Sequence, residues 1–255
     1  MNGKQTNVAL TVTRSKQPFN QRIKVSIMKR YLVNTERANA FLELLATDIG
    51  RKARLGDTEK MEEGARPYAL AAQFAIRDAV TNIGKLANDK TRTEVAQHEM
   101  GRKVAIQAVE AVTKARNDIA ARIDALNAQS MDAVATHFAN HAPGEGMAAR
   151  ISGWIADTIK SPEGIAKVKQ AAAEDQRVAA VIHNEPIFLT GISDTLRKNI
   201  IADTVDKQLP ETAEQLVAAA DLSNLLNRYD DLASKIHENF YSAHLANEAH
   251  SRVEL

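Results

Sequence analysis

A chain of 255 residues that is 44% apolar and 25% charged has ordinary globular composition, long enough for one large domain or two modest ones. Its net charge of +1 excludes a global attraction to polyanions, and the lack of cysteine excludes a disulfide framework and thiol chemistry. No apolar run approaches the roughly 20 residues that span a bilayer, and none at the start suits a signal peptide. The chain is therefore expected in the cytoplasm, without a membrane partner, or within the virion if it is viral.

Charge is unevenly placed. Residues 1–35 carry Lys4, Arg14, Lys16, Arg22, Lys24, Lys29 and Arg30 with no acid, whereas residues 201–255 carry ten acids and four bases. The basic start is also the one part that reads as β. Val8, Leu10 and Val12 alternate with Ala9, Thr11 and Thr13, and Ile23, Val25 and Ile27 with Lys24 and Ser26. Period-two alternation of β-branched residues is a strand signal, and Pro18 and Asn20 suit the loop of a hairpin. A lone two-stranded ribbon is marginal in water, so its apolar face needs cover from helices or from another subunit.

From residue 34 the pattern is helical. Asn34 or Thr35 caps a helix expected to reach Leu55, with Ala40, Phe41, Leu44, Leu45 and Ile49 inward and Gly56 as its stop. Asp57–Gly64 reads as a short turn of helix. Pro67 then suits a first helical position, and Leu70, Phe74, Val80, Ile83 and Leu86 form the next apolar face. The longest segment runs from Thr91 or Thr93 to about His141, a rod of roughly 67 Å that is either continuous or broken near Ser130. Its stripe is Val109, Val112, Ile119, Ile123, Leu126 and Ala133. Pro143, Gly144 and Gly146 mark the clearest break in the chain.

Beyond it, a short helix carries Ile151, Trp154, Ile155 and Ile159, and another begins at Ser161–Glu163 and ends near His183. Pro186 and Gly191 precede a helix with Ile192, Leu196, Ile200 and Val205. Pro210 opens the last long helix, expected to run to residue 248, with Leu222, Leu226, Tyr229, Ala233, Ile236, Phe240 and Ala243 at heptad-like spacing. The two long helices are expected to pair antiparallel. The fold class is thus mainly α, a multi-helix bundle with an N-terminal β-hairpin. The expected units are a basic ribbon arm over 1–33, an N-terminal helical domain over 34–141 and a C-terminal one over 147–255.

No linear motif for nucleotide, dinucleotide, serine-hydrolase, kinase or zincin chemistry is present. His137 and His141 share a helix face at the spacing of two metal ligands, but no third ligand is identifiable, and an end-capping pair at a helix C-terminus is the plainer reading. His237 and His244 lie on the last helix, His244 four residues before Glu248 as a helix-face pair. Trp154, the single tryptophan, is expected in the core, with an interface anchor as the alternative.

These features point to a non-enzymatic structural or assembly protein without a cofactor. It would self-associate through long helices and an arm built on Arg14, Lys16, Arg22, Lys24, Lys29 and Arg30, as a virion, scaffold or adaptor component bound to other subunits. The alternative is nucleic-acid binding, with phosphates held by residues 1–35. A basic ribbon followed by a helix resembles the ribbon–helix–helix DNA readers in pattern, although Gly56–Gly64 matches their tight turn poorly. A helical enzyme or ligand-binding domain with a site assembled from distant residues is the third reading.

Overall fold

The computed structural model describes residues 30–248, and among them every regular element is a helix. The β-ribbon expected over 7–28 lies outside the described residues. Two helices dominate: α4, Glu94–Asn140, and α10, Pro210–Phe240. Before α4 come α1 (Glu36–Ala46), α2 (Asp48–Leu55) and α3 (Arg66–Ala87). Between the two long helices lie α5 (Glu145–Thr158), α6 (Gly164–Glu174), α7 (Gln176–Asn184), α8 (Ile187–Thr190) and α9 (Asp194–Gln208). A short α11, Ala243–Glu248, closes the described chain.

The 47 residues of α4 form one uninterrupted rod of about 70 Å. Thr93 starts it, its side chain accepting from the Ala96 amide. The helix passes through Ser130 without a break, and that hydroxyl sits buried against Gln215 Oε1 at 3.4 Å. Buried positions run His98, Gly101, Ala105, Ala108, Val112, Ala115, Ile119, in strict alternating steps of three and four. The next step, to Ile123, is a second four, after which Leu126 and Ser130 resume the alternation. One extra four-residue step lets the stripe follow a nearly straight helix.

Against this stripe lies α10, running the other way. Ser130 meets Gln215, Arg116 pairs with Asp230 at 3.3 Å, and His98 Nδ1 accepts from the Ser242 amide at 3.0 Å. Ala219, Leu222, Tyr229, Leu232, Ile236 and Phe240 are the buried apolar residues that α10 brings. The expected antiparallel pairing is therefore present within one chain. Many of the seam residues of α4 are small, and Gly101 shows why: a Cβ there would stand 2.6 Å from Leu32 Cδ1 and 3.2 Å from Tyr241 Cβ.

Two buried clusters flank the seam. The first joins Tyr31, Leu32, α1–α3, the α4 stripe from Ala105 to Leu126 and α10 from Ala219 to Phe240. The second gathers Phe138 at the end of α4 with Ile155, Val168, Ala172, Val178–Ile182, Ile192, Ile200 and Val205. The clusters do not divide at the Pro143–Gly146 break as the chain does, because α10 returns to the first one.

Several expected elements differ in detail. The helix expected from Thr35 to Leu55 is two helices. Thr47 is extended, ends α1 and caps α2, its hydroxyl accepting from the Gly50 amide at 3.0 Å. Buried Arg51 then donates to the Leu45 and Ala46 carbonyls, satisfying the end of α1. Asp175 plays the same double role between α6 and α7, in a stretch expected as one helix. The last helix stops at Phe240 rather than 248, and α11 follows after Tyr241 and Ser242. Asp57–Gly64 forms turns without a helix.

Some inward faces also rotate. Ile49, Leu44 and Phe74 are exposed, whereas Ala38, Leu42, Ala69, Ala72 and Ala79 are buried. Close helix approach reserves the seams for small side chains and leaves larger ones outside.

Tyr229 ties the far ends of this arrangement together. It is fully buried, and its hydroxyl donates to the Leu55 carbonyl at 2.9 Å, closing the end of α2 onto α10. Burial raises the phenol pKa well above its ordinary value. Tyr229→Phe leaves a buried carbonyl unpaired, and should lower unfolding free energy by about 1–2 kcal/mol in urea titrations while preserving helicity.

Candidate functional site

Of the six arm bases singled out in the sequence, Arg14, Lys16, Arg22, Lys24 and Lys29 lie outside the described residues. Arg30 is described. Its guanidinium pairs with Glu43 and lies 6.0 Å from the centre of the Tyr31 ring. The next two residues, Tyr31 and Leu32, are buried in the first cluster, so the root of the arm is fastened to the body.

The histidine pair on α4 is held by its own chain. His137 Nε2 meets Gln208 Oε1 at 2.9 Å, His141 Nδ1 meets the His137 carbonyl at 2.8 Å, and the rings stand 4.6 Å apart. Phe138 between them stacks on His183 at 4.5 Å. Among the described residues no group of three or more His, Asp or Glu is placed to hold a metal ion. His244 Nδ1 pairs with Glu248 at 3.1 Å, and His237 Nδ1 lies 3.3 Å from the Tyr241 hydroxyl.

Trp154 is not in the core; it is 42% exposed. Helix α5 turns Ser152 and Ile155 inward, and a neighbouring residue lies about 100° round the helix. The indole lines a shallow groove with Arg150, Ile151, Ala171, Glu174, Asp175 and Val178. The anchor alternative is thus the one compatible with its position.

A second exposed apolar feature was not singled out in the sequence. Ile187, Phe188 and Leu189 form the outer side of α8, and Phe188 is 82% exposed. The tip is pinned at both ends. Pro186 precedes it with φ −60°, and Gly191 follows in the left-handed region with φ 68°, beside buried Thr190 and Ile192. The available signal was an Ile-Phe-Leu run bracketed by proline and glycine. The outward direction of Phe188 depends on α8 packing against α5, which lies thirty residues earlier.

A concavity of about 1120 Å³ opens between the α2–α3 connection, the middle of α4 and the N-terminal half of α10. Glu62 and Arg122 are among its lining residues, as are Lys60 and Arg228. Arg122 Nη2 donates to Glu62 Oε1 at 2.7 Å and its Nε to Oε2 at 3.2 Å, while Oε2 also accepts from the Ala65 amide at 2.8 Å. These bonds, led by the one from Arg122, hold the Glu62 carboxyl below its ordinary value. Asp206, Glu211, Glu214 and Asp221 line the groove and are exposed, and Val217 at 62% exposure stands among them. The ten acids of residues 201–255 were the sequence signal for this surface. Its location was hidden because the groove joins residues from 52 to 228.

No helix of the described residues is long and apolar enough to cross a membrane. No family model matches the chain, and neither a curated protein nor a solved structure does.

Glu62 gives a pH-dependent test. Because its folded pKa is depressed, its stabilisation is present above the ordinary value of 4.5 and is lost as pH falls through the lower folded value. Glu62→Gln should therefore cost about 1 kcal/mol at pH 7 in denaturant titrations. The difference between variant and parent should disappear under acid.

Proposed function

We propose that this chain is a non-enzymatic assembly protein, a scaffold, adaptor or virion component that self-associates and binds other subunits. The observation that carries this reading is the pinned α8 tip. Phe188 is held out on a backbone fixed at both ends, with Ile187 and Leu189 beside it and half-exposed Trp154 on neighbouring α5. Rigid, exposed aromatic anchors are what the centre of an interface needs, because little side-chain or backbone freedom is lost on docking.

The apolar stripes of the long helices, first expected to carry self-association, are not open to a partner. The apolar stripe of α4 is covered by α10 and α3 of the same chain. Among the described residues, α5 and α8 keep exposed apolar side chains available to a partner.

The second reading is nucleic-acid binding through residues 1–35, favoured by seven bases without an acid. It requires phosphate contacts that weaken steeply with salt. Binding to duplex or single-stranded oligonucleotides that is lost from 50 to 300 mM salt, at about the slope expected for several contacts, would establish it instead.

The assembly reading is tested by light scattering of the full chain across concentration. The parent should rise above the mass of one chain. Trp154→Ser with Phe188→Ser should weaken association by about 30-fold or more, as loss of an interface anchor does, with helicity and thermal midpoint unchanged. A parent that stays at the mass of one chain throughout would contradict the reading.

A further inference from the structure

We infer that His98 is an acid-released clasp. Its neutral imidazole holds the corner between α10 and α11, and with it the seat of Leu32, onto the start of α4, and protonation of the ring opens that corner. The clasp stands independently of the assembly reading above.

The clasp arises where α10 ends. Tyr241 is extended, with φ −152° and ψ 159°, so the chain leaves the helical ladder after Phe240 and re-enters helix at Ala243. The Ser242 amide falls in that gap and donates to His98 Nδ1 at 3.0 Å. The Ser242 carbonyl accepts from the Ala246 amide at 3.0 Å and starts α11. His98 is 3% exposed, and Phe240 and Ala246 on either side of the corner are buried. One turn further along α4, Leu32 and Tyr241 close on Gly101 from the two ends of the described chain.

A ring nitrogen that accepts from an amide carries a lone pair and no proton, so the closed corner fixes the tautomer with its proton on Nε2. A second proton would set an Nδ1–H against the Ser242 N–H, two donors facing each other in a buried place, and would bury a charge as well. A cavity of about 580 Å³ beside the imidazole, with Asn34, Glu94 and Tyr241 in its lining, gives that proton a route. The open corner takes the proton up with the ordinary imidazole pKa of about 6.5. Closure is therefore at full strength above that value and weakens about tenfold per pH unit below it.

Other ionisable groups stand round this corner among the described residues. On α4, Glu94 lies one turn before His98 and Arg102 one turn after, with Arg102 donating to Asn247 of α11 at 3.1 Å, and Glu99 pairs with Lys103. From α10, His237 meets the Tyr241 hydroxyl and Glu238 takes Arg37 of α1 at 2.9 Å. On α11, His244 pairs with Glu248. Helix α3 meets Gly101 through Ile83, and no ionisable side chain lies between its Asp78 and Lys85. These groups can move the pH at which the ring charges, but none changes the sign, because the clash of two donors is set by Nδ1 and the Ser242 amide alone.

The test is amide hydrogen exchange by NMR on the full chain at pH 7.5 and 5.5, with intrinsic exchange rates divided out. Protection of the Ser242 and Ala246 amides should fall about tenfold between the two, while Val112 and Ile119 in the middle of α4 keep theirs. His98→Asn is the diagnostic variant. Its Oδ1 sits on the atom that carries Nδ1 in histidine, can accept from the Ser242 amide and does not titrate, so its protection at the two pH values should agree within about twofold. A measurement on the parent alone covers a variant that folds poorly: the ring 15N spectrum at pH 7.5 should show His98 with its proton on Nε2 and a bare Nδ1.

Three results would overturn the inference. Equal Ser242 protection at the two pH values in the parent would show that the corner does not respond to acid. A His98→Asn chain that still loses protection about tenfold would assign the response to His237 or His244. A proton on Nδ1 at pH 7.5 would remove the acceptor on which the clasp depends.

Discussion

The antiparallel contact between α4 and α10 is the constraint on which the rest of the molecule depends. It joins the start of the helical body to its end, since residues near 98 meet residues near 242 and residues near 130 meet 215. Everything between the two helices in sequence must therefore leave the seam at Asn140 and return to it at Pro210. Helices α5–α9 form that excursion, folded around Phe138 as the last core residue of α4. Alanine and glycine on the seam allow the close approach. The same closeness decides which residues are left outside.

That logic explains what the sequence made legible and what it concealed. Helix starts were readable to within a residue or two: of the paired candidates Thr35 and Thr93 are the caps, Pro210 opens α10, and Pro67 is the second residue of a helix that begins at Arg66. The antiparallel pairing of the two long helices was readable from heptad-like spacing, but the spacing left a break near Ser130 open and carried the last helix to 248, whereas α4 is continuous and α10 ends at Phe240. The breaks at Thr47 and Asp175 were not, because apolar periodicity continues across them and one small polar residue ends one helix while capping the next. Burial of large residues was misjudged for a related reason. Counting Phe74, Ile49 and Trp154 as inward assumes that big apolar groups take the core, but in this fold Ala69, Ala72, Ala105 and Ala108 occupy it.

The candidate surfaces were legible only as composition. An acid-rich C-terminal fifth of the chain was visible, but its assembly with Met61 and Arg122 into one groove depends on contacts across more than 150 residues. The α8 tip was visible as punctuation by Pro186 and Gly191, while the protrusion of Phe188 depends on α5. The α8 tip lies away from the long-helix stripe, whereas the groove borders it, with Leu126 and Leu222 in its lining. Phe188 can therefore be changed without touching the seam.

The central claim, that the long helices are partners within one chain and not between copies, has a direct test. The sequence has no cysteine, so Ser130→Cys with Gln215→Cys introduces the only two thiols. A short bismaleimide should link them at dilute concentration into a product with the mass of a single chain, whatever the oligomeric state. A link that joins two chains, or a pair that never reacts while both thiols label freely with a monofunctional maleimide, would contradict the account.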